Sequence, residues 1–207
     1  MTEKTEAPAG ESPPVAASGM DVARRRLLRG GLGAAPLMTL LSRPALGGGS
    51  GGGGGGFQCT TPSGFVSMPT SQHGTPKTCS GRTPGYWKQS QHFSSWKAPF
   101  YPTTTSQHKA TLFKDWFTPT PYASTKTFLD VLGTGGGPPD DVGRHIVATA
   151  LNIAAGWVPV LTITTIQGIW KQYMLTGGGT AGYFEPTAGI KWYHDAIVNY
   201  LLSTMPL

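Results

Sequence analysis

The stretch DVGRHIVATALNIAA, residues 141–155, decides the fold class of this 207-residue chain. Its apolar residues recur every three or four positions, which is the spacing of one face of an α-helix. Asp140 precedes it as a good N-cap, and Gly156 and Pro159 follow as residues that end helices. The stretch therefore predicts an amphipathic helix whose apolar face other elements must cover. The recurring apolar positions are Val142, Ile146, Val147, Ala150, Leu151, Ala154 and Trp157.

Apolar residues at helical spacing also predict helices elsewhere in the C-terminal half. The pattern repeats from Ile166 to Met174 and ends at Gly177, and it returns from Ile190 to Met205. Shorter clusters predict helices over 110–117 and 125–132. The stretch VPVLTITTI, residues 158–166, has the β-branched composition of a strand, but a lone strand would have no partner. The sequence therefore predicts a mainly α domain.

The N-terminal third of this domain, residues 57–84, is rich in Thr, Ser, Pro and Gly and is predicted to be loop with short extended pieces. It holds both cysteines of the chain, Cys59 and Cys79. In an exported protein, an even number of cysteines indicates a disulfide, and closing a loop of this length would contribute roughly 3 kcal/mol. Two free thiols are the alternative, and a metal site would need more ligands than His73, which lies between them. We expect a small helical domain with a loop-rich, disulfide-tied N-terminal third.

Residues 1–46 have the order of an export signal behind a polar head. The stretch ARRRLLRGG, residues 23–31, resembles the twin-arginine pattern, in which Arg24 and Arg25 would engage the export machinery. The apolar segment over 30–41 is too short to span a bilayer, and a small-residue cleavage site follows at 45–47. Ala23 stands where the pattern has Ser or Thr, so general secretion is the alternative route. The pattern is completed by Leu27, Leu28 and Arg29.

A glycine linker at Gly47–Gly56 separates this signal from residues 57–207, which are expected to form a single globular extracytoplasmic domain. The chain has 16 Lys and Arg against 10 Asp and Glu, and six of those bases and four of those acids precede the linker. The remaining 10 bases and 6 acids are scattered rather than arranged in a stripe. Nucleic acid is therefore not an expected partner.

The stretch TPGYWKQSQHFSSW, residues 83–96, crowds aromatic and polar side chains around a Pro-Gly pair that predicts a turn. One hypothesis makes it an aromatic platform for a sugar ring. The hypothesis we favour is a packed corner in which Trp87 and Trp96 anchor a core short of aliphatic residues. The candidate ligand-binding residues are Tyr86, Trp87, Lys88, His92 and Trp96.

Three polar residues within the predicted helix over 141–155 are expected to have structural roles. Arg144 follows Asp140 and Asp141 at helical spacing, so it can pair with either carboxylate. His145 is expected to be a satisfied helix residue, with general base or metal ligand as the alternative. Asn152 competes with helical hydrogen bonding, so we expect it to tie the helix to the TPGYW segment.

The sequence assigns no catalytic residue, no metal site and no cofactor. No serine lies in a Gly-x-Ser-x-Gly turn, and His92, His145 and His194 are too widely spaced to indicate a metal site. The domain has a single glutamate, Glu185, and a hydrolase using it with Asp195 or His194 is the third hypothesis. An enzyme is therefore not the favoured interpretation.

Three ordered segments resemble a module of exported bacterial proteins: TPGYWKQSQHFSSW, then FLDVLGTGGG, then GRHIVATALNIAAG. That module pairs Cys…Thr-Pro-Gly-Tyr-Trp-Lys with a later Gly-Arg-His-x-Val-Ala-x-x-Leu-Asn helix. The resemblance covers Cys79 to Ala155 and implies export and a single fold, without a mechanism. The chain departs from the pattern by an insertion over 101–116 and an addition over 183–205.

The expected function is that of an exported, non-enzymatic module of structural or adhesive type, secreted or held at the cell surface. The alternative is a carbohydrate-binding domain that uses the aromatic residues of the TPGYW segment. A glycan or another surface component is the expected partner, and no segment of the mature domain is expected to cross a membrane.

Overall fold

The structure, a computed structural model, describes residues 57–67 and 77–206 and is mainly helical, as predicted. The signal predicted for 1–46 and the linker over 47–56 lie outside the described residues. Short 3₁₀ turns lie at Ser90–Ser95 and Phe113–Asp115. The other elements are β1 (Phe57–Cys59), α1 (Pro62–Ser67), β2 (Lys77–Cys79), α2 (Pro84–Trp87), α3 (Phe128–Leu132), α4 (Asp140–Ala154), α5 (Ile163–Thr176), β3 (Phe184–Thr187), β4 (Ile190–Trp192) and α6 (His194–Leu202).

Helix α4 lies at the centre of the domain and contacts α2, α3, α5 and α6. Almost every residue from Val142 to Asn152 is buried, so α4 is covered on all sides beyond its first turn. The predicted amphipathic helix is therefore wrong in one respect, because a helix surrounded by neighbours has no solvent face to leave polar. Its buried Thr149 hydroxyl is satisfied locally, donating to the carbonyl oxygen of His145 at 2.8 Å.

Threonine caps set the starts of two other helices. Thr127 Oγ1 accepts from the Asp130 N–H at 3.1 Å while Asp130 Oδ2 accepts from the Thr127 N–H at 2.9 Å, a capping box that starts α3 at Phe128 rather than at 125. Thr162 Oγ1 accepts from the Thr165 N–H at 3.1 Å and caps α5, so residues 163–166 of the β-branched stretch are helical and residues 158–162 form a turn before the helix. Asp140 is the first residue of α4, and Pro139 holds the N-cap position without a side-chain cap.

One predicted helix is replaced by other structure, and another is shorter than predicted. The 110–117 segment contains only a 3₁₀ turn, because Leu112 pairs with Thr127 in an isolated β-bridge and the Phe113 N–H donates to the Lys126 carbonyl at 2.9 Å. The predicted start of the last helix, Ile190–Trp192, is instead strand β4, which forms an antiparallel hairpin with β3. Gly189 lies at the turn of this hairpin in a positive φ of 82°. The last helix, α6, therefore begins only at His194.

The N-terminal third is tied by the predicted disulfide between Cys59 and Cys79. These cysteines lie on the antiparallel strands β1 and β2, and their side chains are buried. The C-terminal segment closes this region from the other side, since Tyr200 Oη donates to the Thr60 carbonyl at 3.0 Å and the Gly81 N–H donates to the Thr204 carbonyl at 3.2 Å. Across the described ranges, none of the helices combines the length and apolar character that a membrane crossing requires.

Candidate functional site

The TPGYW segment forms a packed corner against α4. Pro84–Trp87 is one helical turn, so Gly85 does not adopt the positive φ of a type II turn. The Trp87 side chain is 0% exposed and that of Trp96 is 7% exposed, and Trp96 Nε1 donates to the Trp87 carbonyl at 3.3 Å. Neither indole has a ring face open to a sugar.

The amide of Asn152 joins α4 to this corner, which is the tie that the sequence predicts. Asn152 is 0% exposed. Its Oδ1 accepts from the Arg82 N–H at 2.8 Å and from Trp87 Nε1 at 3.0 Å, and its Nδ2 donates to the Arg82 carbonyl at 2.9 Å. One side chain thus satisfies three polar groups that the corner would otherwise leave without partners.

The outer side of the corner is packed by its own residues. Tyr86 stacks on His92 with ring centroids 3.7 Å apart, and the Arg82 guanidinium lies 5.6 Å from the Tyr86 ring centroid. Tyr86 Oη is 3.3 Å from Ser95 Oγ, within hydrogen-bonding distance. Lys88 is exposed beside them. The candidate ligand-binding residues are therefore brought together, but their aromatic rings are largely occupied by contacts within the protein.

A second group of polar side chains, here called the Asp141 cluster, meets at the first turn of α4 and comprises Asp141, Arg144, His145 and His194. Asp141 Oδ1 accepts from Arg144 Nε at 2.6 Å, which is one of the two pairings predicted for this arginine. His194 Nε2, at the start of α6, lies 3.6 Å from Asp141 Oδ2, and His194 Nδ1 lies 2.7 Å from Asp195 Oδ1. The carboxylate of Asp141 is the centre of the cluster.

The contact of His145 fixes its tautomer. Its Nδ1 lies 2.7 Å from the Asp141 carbonyl oxygen, and a carbonyl can only accept, so Nδ1 carries the proton. The pKa of His145 is lowered, and burial is the main cause. The hydrogen bond to the Asp141 backbone and the Asp141 charge act to raise this pKa, while the charges of Arg144 and His194 lower it further. Burial therefore favours the neutral form of His145, and its bond to the Asp141 carbonyl is consistent with a structural role.

Two tyrosines with buried hydroxyls, Tyr122 and Tyr173, border the Asp141 cluster. Within the described ranges, Tyr173 Oη and His194 Nε2 have no hydrogen-bond partner, whereas Tyr122 Oη faces the Asp140 carboxylate. Burial, and next the charge of Asp141, raises the pKa of Tyr173 to about 12. Burial and the charge of Asp140 raise the pKa of Tyr122 as well. Folding therefore favours the protonated form of both phenols.

The stability of the protein is expected to fall in mild acid because of His145. Folding lowers the pKa of His145 below its value in the unfolded chain, which is about 6.5. Above that pH the group does not oppose folding, but as the pH falls below it the unfolded chain binds the proton more readily and the folded protein loses stability. Thermal melting between pH 7.5 and 5 should show a decrease of several degrees that His145→Gln reduces. His108→Gln, on the half-buried ring stacked on Tyr101, is the control and should leave the decrease intact. An unchanged pH profile in His145→Gln would contradict this assignment.

In the described residues, the carboxylate of Glu185 is not joined to either partner that the hydrolase hypothesis gives it, Asp195 or His194. Glu185 lies on β3, where its N–H donates to Gln172 Oε1 at 3.1 Å, and its carboxylate makes no ion pair with His194 in the described part of the chain. Asp195 is 93% exposed. Over residues 57–67 and 77–206, no three His, Cys, Asp or Glu side chains are placed to hold a metal ion.

The structure adds a feature that the sequence analysis missed, an open groove of about 460 Å³ between the segment 115–118 and α5. Asp115, Trp116, Gln167 and Lys171 line it, with Gly168 on the helix beneath. Gln167 Nε2 donates to the Trp116 carbonyl at 2.9 Å across 51 residues of sequence. The residues that line this groove are too far apart in the sequence for local spacing to indicate it. In contrast, Asp141, Arg144 and His145 lie at helical spacing on one helix, which is a signal for the Asp141 cluster.

Neither the protein-family models nor the curated proteins nor the solved structures contain a match to this chain. Function therefore has to be inferred from the corner, the Asp141 cluster and the groove.

Proposed function

We propose that this protein is an exported module, secreted or held at the cell surface, that acts as a structural or adhesive part rather than as an enzyme. The observation that carries the proposal is the buried Cys59–Cys79 disulfide. Disulfides of this kind form and persist in oxidising compartments outside the cytoplasm. The order of basic, apolar and small-residue segments in residues 1–46 supports the same compartment.

The arrangement of the titratable groups supports a non-enzymatic role. Nucleophilic catalysis needs a hydroxyl or thiol within reach of a base. In the described residues, the imidazoles of His145 and His194 bond no serine, threonine or cysteine side chain, and both cysteines are in the disulfide. A hydroxyl does lie 3.2 Å from the imidazole of His108, that of Thr105, but this pair is exposed. The resemblance of Cys79 to Ala155 to an exported bacterial module is consistent with display at the cell surface.

Export is tested by expressing the tagged full chain in a bacterium that has both secretion routes. The chain should appear outside the cytoplasm, and thiol alkylation should modify its two cysteines only after reduction. Arg24→Lys with Arg25→Lys should retain it in the cytoplasm with both thiols reactive, because the twin-arginine route requires the pair. Arg26→Gln, at the variable position of the pattern, is the matched control and should be exported normally.

Each outcome bears on a separate part of the proposal. Export of the Arg24/Arg25 variant would show that the chain uses general secretion and not the twin-arginine route. Cytoplasmic, reduced and folded wild-type protein would overturn the proposed function.

A further inference from the structure

The groove between segment 115–118 and α5, here called the Trp116 groove, lies where the chain departs from the module that it resembles. Asp115 and Trp116 are the last two residues of the insertion over 101–116. The groove is open and has a volume of about 460 Å³. Small-molecule sites commonly fall between about 300 and 1,000 Å³, so one or two sugar rings would fit.

Trp116 is a positioned aromatic ring with an unused donor. It is half-buried, and its ring packs edge-to-face on Phe100 with centroids 4.7 Å apart and planes at 66°. Its carbonyl is held by Gln167. Trp87, Trp96 and Trp170 donate their indole N–H inside the protein, whereas Trp116 Nε1, like the indole N–H of Trp157 and of Trp192, has no acceptor in the described residues.

The polar groups around this ring are also free. Asp115 and Lys171 are exposed and have no ion-pair partner in the described part of the chain. Gln167 uses only its Nε2 there, which leaves the Oε1 acceptor available. One carboxylate, one ammonium and one amide give the groove both donors and acceptors and no net charge.

Gly168 provides an independent reason to expect a ligand. It lies in the interior of α5, where glycine is less favourable than alanine. A Cβ atom at this position would meet no described atom within 4 Å, so close packing within the protein does not require glycine. Glycine at such a position leaves room for a partner to approach the helix backbone.

We infer that the Trp116 groove binds one ring of a neutral sugar. The apolar face of the ring stacks on the indole of Trp116, and its hydroxyls exchange hydrogen bonds with Asp115, Gln167 and Lys171. The balanced charge does not favour phosphate or carboxylate ligands, and the polar walls do not favour a wholly apolar one. The inference rests on the proposed adhesive function for its setting, and it moves sugar binding away from Tyr86, Trp87 and Trp96.

Saturation-transfer NMR on the purified, oxidised full chain tests the inference. The probes are methyl glycosides of glucose, galactose, mannose and N-acetylglucosamine, with glucuronate and N-acetylneuraminate as acidic comparisons. At least one neutral glycoside should give a signal, and Trp116→Ala should weaken its affinity roughly tenfold or more. Gly168→Leu should abolish the signal by filling open space without disturbing the core.

Two controls separate loss of the site from loss of the fold. Tyr193→Ala removes a tyrosine that is 60% exposed elsewhere and should leave binding unchanged. Gly168→Ala should raise the melting temperature by a few degrees, because alanine favours a helix interior. The absence of any neutral-sugar signal, equal binding by Trp116→Ala and Gly168→Leu, or preference for the acidic sugars would overturn the inference. Because the measurement does not depend on compartment, its failure is distinct from a failure of export.

Discussion

Asn152→Ala is expected to lower the free energy of unfolding by about 3–5 kcal/mol, since it removes the partner of three polar groups at once. The Arg82 N–H, the Arg82 carbonyl and Trp87 Nε1 all bond to this one amide. The Trp87 donor, in a side chain that is 0% exposed, cannot turn to solvent instead. Urea denaturation of the oxidised protein, followed by circular dichroism, measures the loss.

Asn199→Ala is the matched control, because Asn199 lies on α6 with an exposed side chain. Its effect should stay within about 0.5 kcal/mol. A loss below about 1 kcal/mol for Asn152→Ala would show that the corner rearranges and satisfies its polar groups in another way.

Trp87→Ala is expected to destabilise the protein by about 3–5 kcal/mol, the usual range for removing a buried large aromatic side chain. The ring is fully buried and stacks on Trp157 with centroids 5.2 Å apart, while Trp96 approaches it edge-on at 6.3 Å. Its loss leaves a cavity between two aromatic neighbours that are held by other contacts. Thermal and urea unfolding should both show the change.

Trp87→Phe separates packing from hydrogen bonding at this position. It keeps an aromatic ring but removes the donor to Asn152 Oδ1, so the expected loss is smaller, about 1–2 kcal/mol. A double-mutant cycle of Trp87→Phe with Asn152→Ala should give a coupling energy above about 0.5 kcal/mol, because the two residues are in contact. If Trp87→Ala costs no more than Tyr193→Ala, the packed corner is not part of the core.

The central helix could be predicted because its signals are local. Helical spacing over 141–155 gave its existence and length to within a residue at each end. An asparagine inside an apolar helix needs a partner, and the structure provides one in the Arg82 backbone and the Trp87 indole. What spacing could not show is that four helices surround α4, because burial on every side depends on tertiary contacts.

The errors have a common physical origin in contacts between distant residues. Leu112 pairs with Thr127 in a β-bridge, so the segment around it does not form the predicted helix. The apolar residues after Thr187 suit a helix face, but they suit the β3–β4 hairpin equally well. Gly189 was the available signal for that hairpin, since glycine readily adopts the positive φ of its turn. The Trp116 groove joins side chains about fifty residues apart, and no window of sequence contains them both.

The bonds between the two ends of the domain have a consequence for how it is made. Tyr200 reaches Thr60 across 140 residues, so part of the N-terminal structure depends on atoms that are synthesised 140 residues later. Contacts of such long sequence separation slow folding, because a large loop must close before they can form. The N-terminal third is therefore expected to stay incompletely ordered on the ribosome, and the native topology to be reached only after α6 has been translated.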